Sequence, residues 1–309
     1  MDENREINEP GWTEMIEYLI GMGMHGLVLG GTTGENYALT FEERIRQFRY
    51  GSEVIAGRVP WIAGVNDIRT ENVCEFAVAA RECGAAGILL AAPPYSVPND
   101  KELAQHALAV DRVCGLPVML YNYPGRTGTE FGGEFLDRVS RNSNFCAIKE
   151  SSGDIGRVHT IAREYPHLQL SCGADDQALE FFAWGARSWV CAAANFFGPE
   201  CIALYETCVL QGDYTKGLRI MKAMLPLMTV LERGGKFIQC VKYGCEMDGL
   251  PAGTVRLPLR PMKKELKRQM RDAVLTARKT IKGIMAESPE AADGGGTPSQ
   301  ANACAVVGI

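Results

Sequence analysis

The sequence predicts a parallel α/β chain closed into a (β/α)8 barrel, and three observations point there. Short, continuously apolar runs alternate with amphipathic helical stretches, as strands buried on both faces should. Seven such runs lie between residues 26 and 195, too regular an alternation for separate β and α regions. Small and polar residues gather where the runs end, at Thr32, Thr33, Asn66, Tyr95, Tyr121, Lys149, Gly173 and Asn195. In a barrel those ends converge on one mouth. A doubly wound sheet shares the alternation but would normally carry a glycine-rich phosphate loop, and "GGTTGE" fits neither GxGxxG nor the P-loop.

The chain opens on a helix, "PGWTEMIEYLIGMGM", with no strand before it. The strand runs are "GLVLGG" (26–31), "PWIAGV" (60–65), "GILLAAPP" (87–94), "PVMLYNYP" (117–124), "FCAIKESS" (145–152), "LQLSCGAD" (168–175) and "SWVCAAAN" (188–195). Between the first three lie "TFEERIRQFRYGSEVIAG" and "TENVCEFAVAARECG". Thr40 and Thr70 stand at their N-cap positions; Glu43 completes a capping box, and Gly84 is suited to end the second helix. Four more helical stretches follow residue 199, and the end, "SPEAADGGGTPSQANACAVVGI", is small and polar. The expected organisation is a barrel over 1–198, lacking its first strand; a last barrel helix and C-terminal helical extension over 199–286; and a disordered tail over 287–309.

Composition narrows the function classes. With 309 residues the chain can bury a large core, and 46% hydrophobic with 22% charged residues is ordinary for a globular protein. The net charge of -5 and the lack of a basic block before the last helix argue against nucleic acid. No apolar run reaches the length of a membrane span, and the polar N-terminus "MDENREINEPG" is unlike a signal peptide, so the expected location is the cytoplasm. The 11 cysteines form no CxxC pair or Cys/His cluster; they read as small buried hydrophobes in a reducing compartment.

One residue carries the chemistry. Lys101 and Lys149 are the only lysines in the first 215 residues, and Lys149 ends an apolar run. An ammonium there loses hydration, and desolvation favours the neutral amine, the form that attacks a ketone to give a Schiff base. An ion pair with Glu150 is the competing reading, but consecutive strand residues point to opposite faces. Tyr121 ends an earlier strand and can relay protons. Arg126 follows a Pro-Gly turn, a position suited to bidentate capture of a carboxylate. Thr32 and Thr33 offer hydroxyls and backbone N–H groups for a second carboxylate.

"GGTTGENYALTFEER", "YNYPGRTG" and "AIKESSGD", in that order and spacing, resemble the dihydrodipicolinate synthase / N-acetylneuraminate lyase family, and the likeness runs from about residue 2 to about residue 260. The resemblance implies a (β/α)8 class I aldolase or dehydratase, a homodimer or homotetramer, that binds pyruvate or the pyruvyl end of a 2-keto acid as a Schiff base. It assigns the imine to Lys149, acid/base work to Tyr121, a place in the proton relay to Thr32 and pyruvate carboxylate binding to Thr33. Tyr95 matches the tyrosine sent across an interface into a neighbour's site, and Gly173 and Val190 match positions lining the pyruvate pocket. Arg126 matches the arginine that meets the carboxylate of aspartate semialdehyde in the synthase branch. No metal or organic cofactor is implied. The expected activity is a condensation like that of 4-hydroxy-tetrahydrodipicolinate synthase. The alternatives are an aldolase or dehydratase for 2-keto-3-deoxy sugar acids or 4-hydroxy-2-oxoglutarate, and an inactive keto-acid-binding barrel. The family's first strand, normally just before "DENREIN", is missing.

Overall fold

A computed structural model describes residues 1–287 and 304–308, the latter as backbone. Eight parallel strands close into a barrel in the order β1 to β8. They are β1 (Gly26–Leu29), β2 (Trp61–Gly64), β3 (Gly87–Ala91), β4 (Val118–Asn122), β5 (Phe145–Glu150), β6 (Gln169–Cys172), β7 (Ser188–Val190) and β8 (Cys304–Gly308). The seven expected strands are all present, and among the described residues helix Glu9–Gly21 is the first element.

The eighth strand comes from the far end of the chain. Cys304–Gly308 pairs with β1 through Gly26↔Val306, Leu27↔Val307 and Val28↔Gly308. It pairs with β7 through Ser188↔Cys304, Trp189↔Ala305 and Val190↔Val306. These five residues correct the expectation of disorder over 287–309. The stretch "CAVVG" is apolar and carries two adjacent β-branched valines, the composition that fits a pleated, buried strand, and without it β1 and β7 would present two unpaired edges. The remainder of that expectation, over 288–303 and at residue 309, lies outside the described residues.

Strand alternation explains why the runs are apolar throughout. Leu27, Leu29, Ile88, Leu90, Leu120 and Ile148 are buried in the large core cluster, while Val28, Leu89, Ala91, Tyr121 and Val190 form a separate cluster. Neighbours in sequence thus serve opposite faces: the first set packs under the helices, and the second fills the barrel interior.

The helices follow the local signals, with one shift. Thr40 caps Phe41–Ile55: its side chain accepts from Glu43 N, and Glu43 answers in a full capping box. Thr70 instead is the first residue of Thr70–Glu82, whose N-cap is Arg69; its hydroxyl hydrogen-bonds His106 Nδ1 at 2.9 Å. Gly84 lies beyond that helix at φ +83, where only glycine is unstrained. The expected C-terminal extension is present as Tyr214–Arg233, Phe237–Met247 and Lys264–Ala286. Cys172 and Cys191 are buried as expected, whereas Cys146 is exposed. Among the described residues, no helix is long and apolar enough to cross a membrane.

Candidate active site

Lys149 sits on β5 in register with Tyr121 on β4 and Ser171 on β6. Register partners in a parallel pair share a face, so Lys149 points into the barrel with Tyr121. Its ammonium lies 4.1 Å from the centroid of the Tyr121 ring, and the two residues are 9% and 5% exposed. Glu150, one residue on, turns the other way. Its carboxylate, 1% exposed, accepts from Asn122 Nδ2 at 2.9 Å, from Ser152 N at 2.7 Å and from Arg157 Nε at 3.1 Å. Arg157 also donates to Glu130 Oε1 and to the Phe131 carbonyl. Glu150 is therefore neutralised behind the strand, and the lysine is left to the cavity.

That cavity is lined by Gly31, Thr32, Thr33, Tyr121, Tyr123, Lys149, Gly173, Asp175, Val190, Ala192, Glu232 and Phe237, over a floor of Val28 and Leu89. Six of the eight residues picked out from the sequence meet here: Lys149, Tyr121, Thr32, Thr33, Gly173 and Val190. Gly173 is glycine for a steric reason. A Cβ at this position would overlap Ser151 Oγ and stand 2.8 Å from Lys149 Cε and 2.8 Å from the Glu150 carbonyl oxygen, so the backbone of β5 would have to shift to admit it.

The Thr32–Thr33 loop is pinned from both sides. Gly30 takes φ +71 and its carbonyl oxygen lies 2.4 Å from where a Gly64 Cβ would be, so β1 and β2 end in close backbone contact. Glu35 follows at φ +55, 3% exposed, with its carboxylate 2.6 Å from Lys242 Nζ. Lys242 also donates to the carbonyls of Ala252 and Thr254. Helix Phe237–Met247 thus anchors the loop that carries the threonines.

Two predicted residues lie outside the cavity. Arg126 is exposed on the one-turn helix Pro124–Thr127 that follows β4, its guanidinium 5.3 Å from the Tyr123 ring centroid and 6.0 Å from that of Phe237. Both rings line the cavity, so Arg126 stands at its rim. Tyr95 is 91% exposed, with φ +74, an unusual backbone for a bulky residue.

Sequence reasoning missed Tyr123, Asp175, Ala192, Glu232 and Phe237. Asp175 is 2% exposed and accepts from Trp189 Nε1 at 2.9 Å and Ala193 N at 3.3 Å. Burial pushes its carboxyl up, against these hydrogen bonds and nearby Lys149. Glu232, on helix Tyr214–Arg233 outside the barrel, is pushed up to about 8 by burial and by the adjacent Asp175 and Asp176. Asp175 was within reach as a polar strand end. Nothing in the local pattern marks Glu232, because it reaches the cavity from the last turn of a helix outside the barrel.

A family model, that of the Dihydrodipicolinate synthetase family, matches residues 1–277. The chain belongs to that family. It is a lyase of the 4-hydroxy-tetrahydrodipicolinate synthase kind, with relatives so named at comparable identity throughout. 4-Hydroxy-tetrahydrodipicolinate synthase 1 of Halalkalibacterium halodurans is 33% identical over 274 residues, covering 88% of this chain and 92% of that one. Among solved structures, a putative dihydrodipicolinate synthetase from Pseudomonas aeruginosa superposes with a TM-score of 0.85 at 32% identity, covering 90% and 96% of the two chains. A dihydrodipicolinate synthase from Acinetobacter baumannii, solved in complex with pyruvate, gives 0.83 at 27% identity, covering 90% and 95%.

Proposed function

We propose that this lyase condenses pyruvate with aspartate semialdehyde through a Schiff base on Lys149. The observation that carries the reading is the placement of a buried lysine beside Tyr121 in a strand-end cavity that also holds Thr32, Thr33 and the side-chain-free Gly173. The Lys149 amine attacks the pyruvate ketone to give a carbinolamine. Loss of water yields the iminium, and loss of a methyl proton yields the enamine. The enamine carbon attacks the aldehyde of the second substrate, forming the carbon–carbon bond as its oxygen takes a proton. The substrate's own amine then attacks the imine carbon, and Lys149 leaves as the ring closes. Tyr121 and Thr32 move the protons, Thr33 and its loop hold the pyruvate carboxylate, and Val190 and Gly173 shape its pocket. Arg126, at the rim, takes the carboxylate of the aldehyde. The lysine itself activates the ketone, so the reaction calls for no metal or organic cofactor.

A homodimer or homotetramer in the cytosol completes the reading. An exposed tyrosine held at positive φ suits Tyr95 to reach into a neighbouring subunit's cavity and join its proton relay. A substrate panel tests the assignment. Aspartate semialdehyde should be consumed with pyruvate, and 2-keto-3-deoxy sugar acids and 4-hydroxy-2-oxoglutarate should be cleaved at least tenfold less efficiently. Pyruvate release from either alternative at the higher rate would overturn the substrate assignment while keeping the imine.

A further inference from the structure

Resting on the Schiff-base reading above, we propose that Glu232 determines specificity for the second reactant, its carboxyl hydrogen-bonding an oxygen of the aldehyde that the Lys149 enamine attacks. Pyruvate has its own partners deep in the barrel: Lys149, Tyr121 and the Thr32–Thr33 loop. Glu232 lines the same cavity but comes from the last turn of helix Tyr214–Arg233, outside the barrel, and shares the lining with Phe237, the ring beside Arg126 at the rim. No residue of the condensation described above uses it.

The titratable groups that act on it or feel its charge are Lys149 on β5, Tyr123 after β4, Asp175 and Asp176 beyond β6 and, from the helix side of the strand, Cys172 on β6. Arg233, the next residue, is taken by Asp176 at 3.2 Å. Burial, and after it the neighbouring Asp175 and Asp176, push the Glu232 carboxyl up to about 8 against the Asp175 backbone N–H and Lys149, which favours its neutral form near pH 7. While neutral it is a hydrogen-bond donor to an aldehyde, hydroxyl or carboxylate oxygen. Once ionised it repels an anionic reactant.

The test compares Glu232→Gln and Glu232→Ala with the unaltered enzyme, using aspartate semialdehyde as the probe. At pH 7 the glutamine variant, also a neutral donor, should keep KM for the aldehyde within about twofold, whereas alanine should raise it about tenfold. Between pH 7 and pH 9 the aldehyde KM of the unaltered enzyme should rise, and that of the glutamine variant should stay flat relative to it. Trapping of pyruvate by borohydride should be equal in all three. An unchanged aldehyde KM in the alanine variant, or parallel pH profiles for the unaltered and glutamine enzymes, would overturn the proposal. Absence of any trapped pyruvate in the unaltered enzyme would instead overturn the Schiff-base reading beneath it.

Discussion

Deleting residues 304–309 should open the barrel. β8 is held by three registered pairs on β1 and three on β7, and ladders of that length carry about three hydrogen bonds a side. At about 1 kcal/mol net for each, the loss is about 4–6 kcal/mol, a large share of the ~5–15 kcal/mol that folding leaves. For a chain of this size that should lower Tm by roughly 6–9 °C. The same deletion frees the strand that ends in Thr32 and Thr33 and the one that ends in Val190, so pyruvate trapping at Lys149 should fall with stability. Differential scanning fluorimetry beside mass spectrometry reads both effects. A synthetic peptide of residues 300–309, added in excess, should recover part of the Tm loss by mass action. A truncated protein that melts and traps pyruvate like the full chain would refute the closure of the barrel by its C-terminal strand.

Three further expectations follow from named contacts. Arg157→Met should destabilise the fold by about 3–5 kcal/mol, because it strands the buried Glu150 carboxylate without its cation; urea denaturation checks it. Gly173→Ala should abolish pyruvate trapping and lower Tm together, since the added methyl meets Ser151 Oγ and the Glu150 carbonyl as well as Lys149 Cε; normal trapping would contradict the steric argument. His106 is held down to about 4 by burial. The unfolded imidazole gains its proton near pH 6.5 while the folded one resists, so stability should decline as pH falls from about 6.5 to about 4, by up to about 3 kcal/mol. His106→Gln should remove that slope from a pH series of denaturation curves.

The strands and the centre of the site were legible because both depend on short-range patterns. A strand buried on both faces must be apolar throughout, and Lys149 and Tyr121 stand out only because they break such runs at their mouth ends. The same alternation separated Lys149 from Glu150, and Glu150 indeed turns to Asn122 and Arg157. What could not be read depends on distant parts of the chain meeting. Glu232 looks like any exposed glutamate on an amphipathic helix until the last turn of Tyr214–Arg233 is brought to the cavity. The strand at Cys304–Gly308 is only five residues long and follows an alanine- and glycine-rich stretch, and its partners β1 and β7 lie far back in the sequence. Thr70 shows a smaller limit. A threonine before an apolar periodic run reads as an N-cap, but its hydroxyl is claimed by His106 from the neighbouring helix, so the helix begins at Thr70 itself.

The account stands or falls on the amine of Lys149. Incubating the full chain with pyruvate and borohydride, then mapping the product by peptide mass spectrometry, should place one reduced pyruvyl unit on Lys149 and none on Lys101, with Lys149→Arg folded and unlabelled. A folded protein that gains no adduct, or gains it at another lysine, would contradict the central claim.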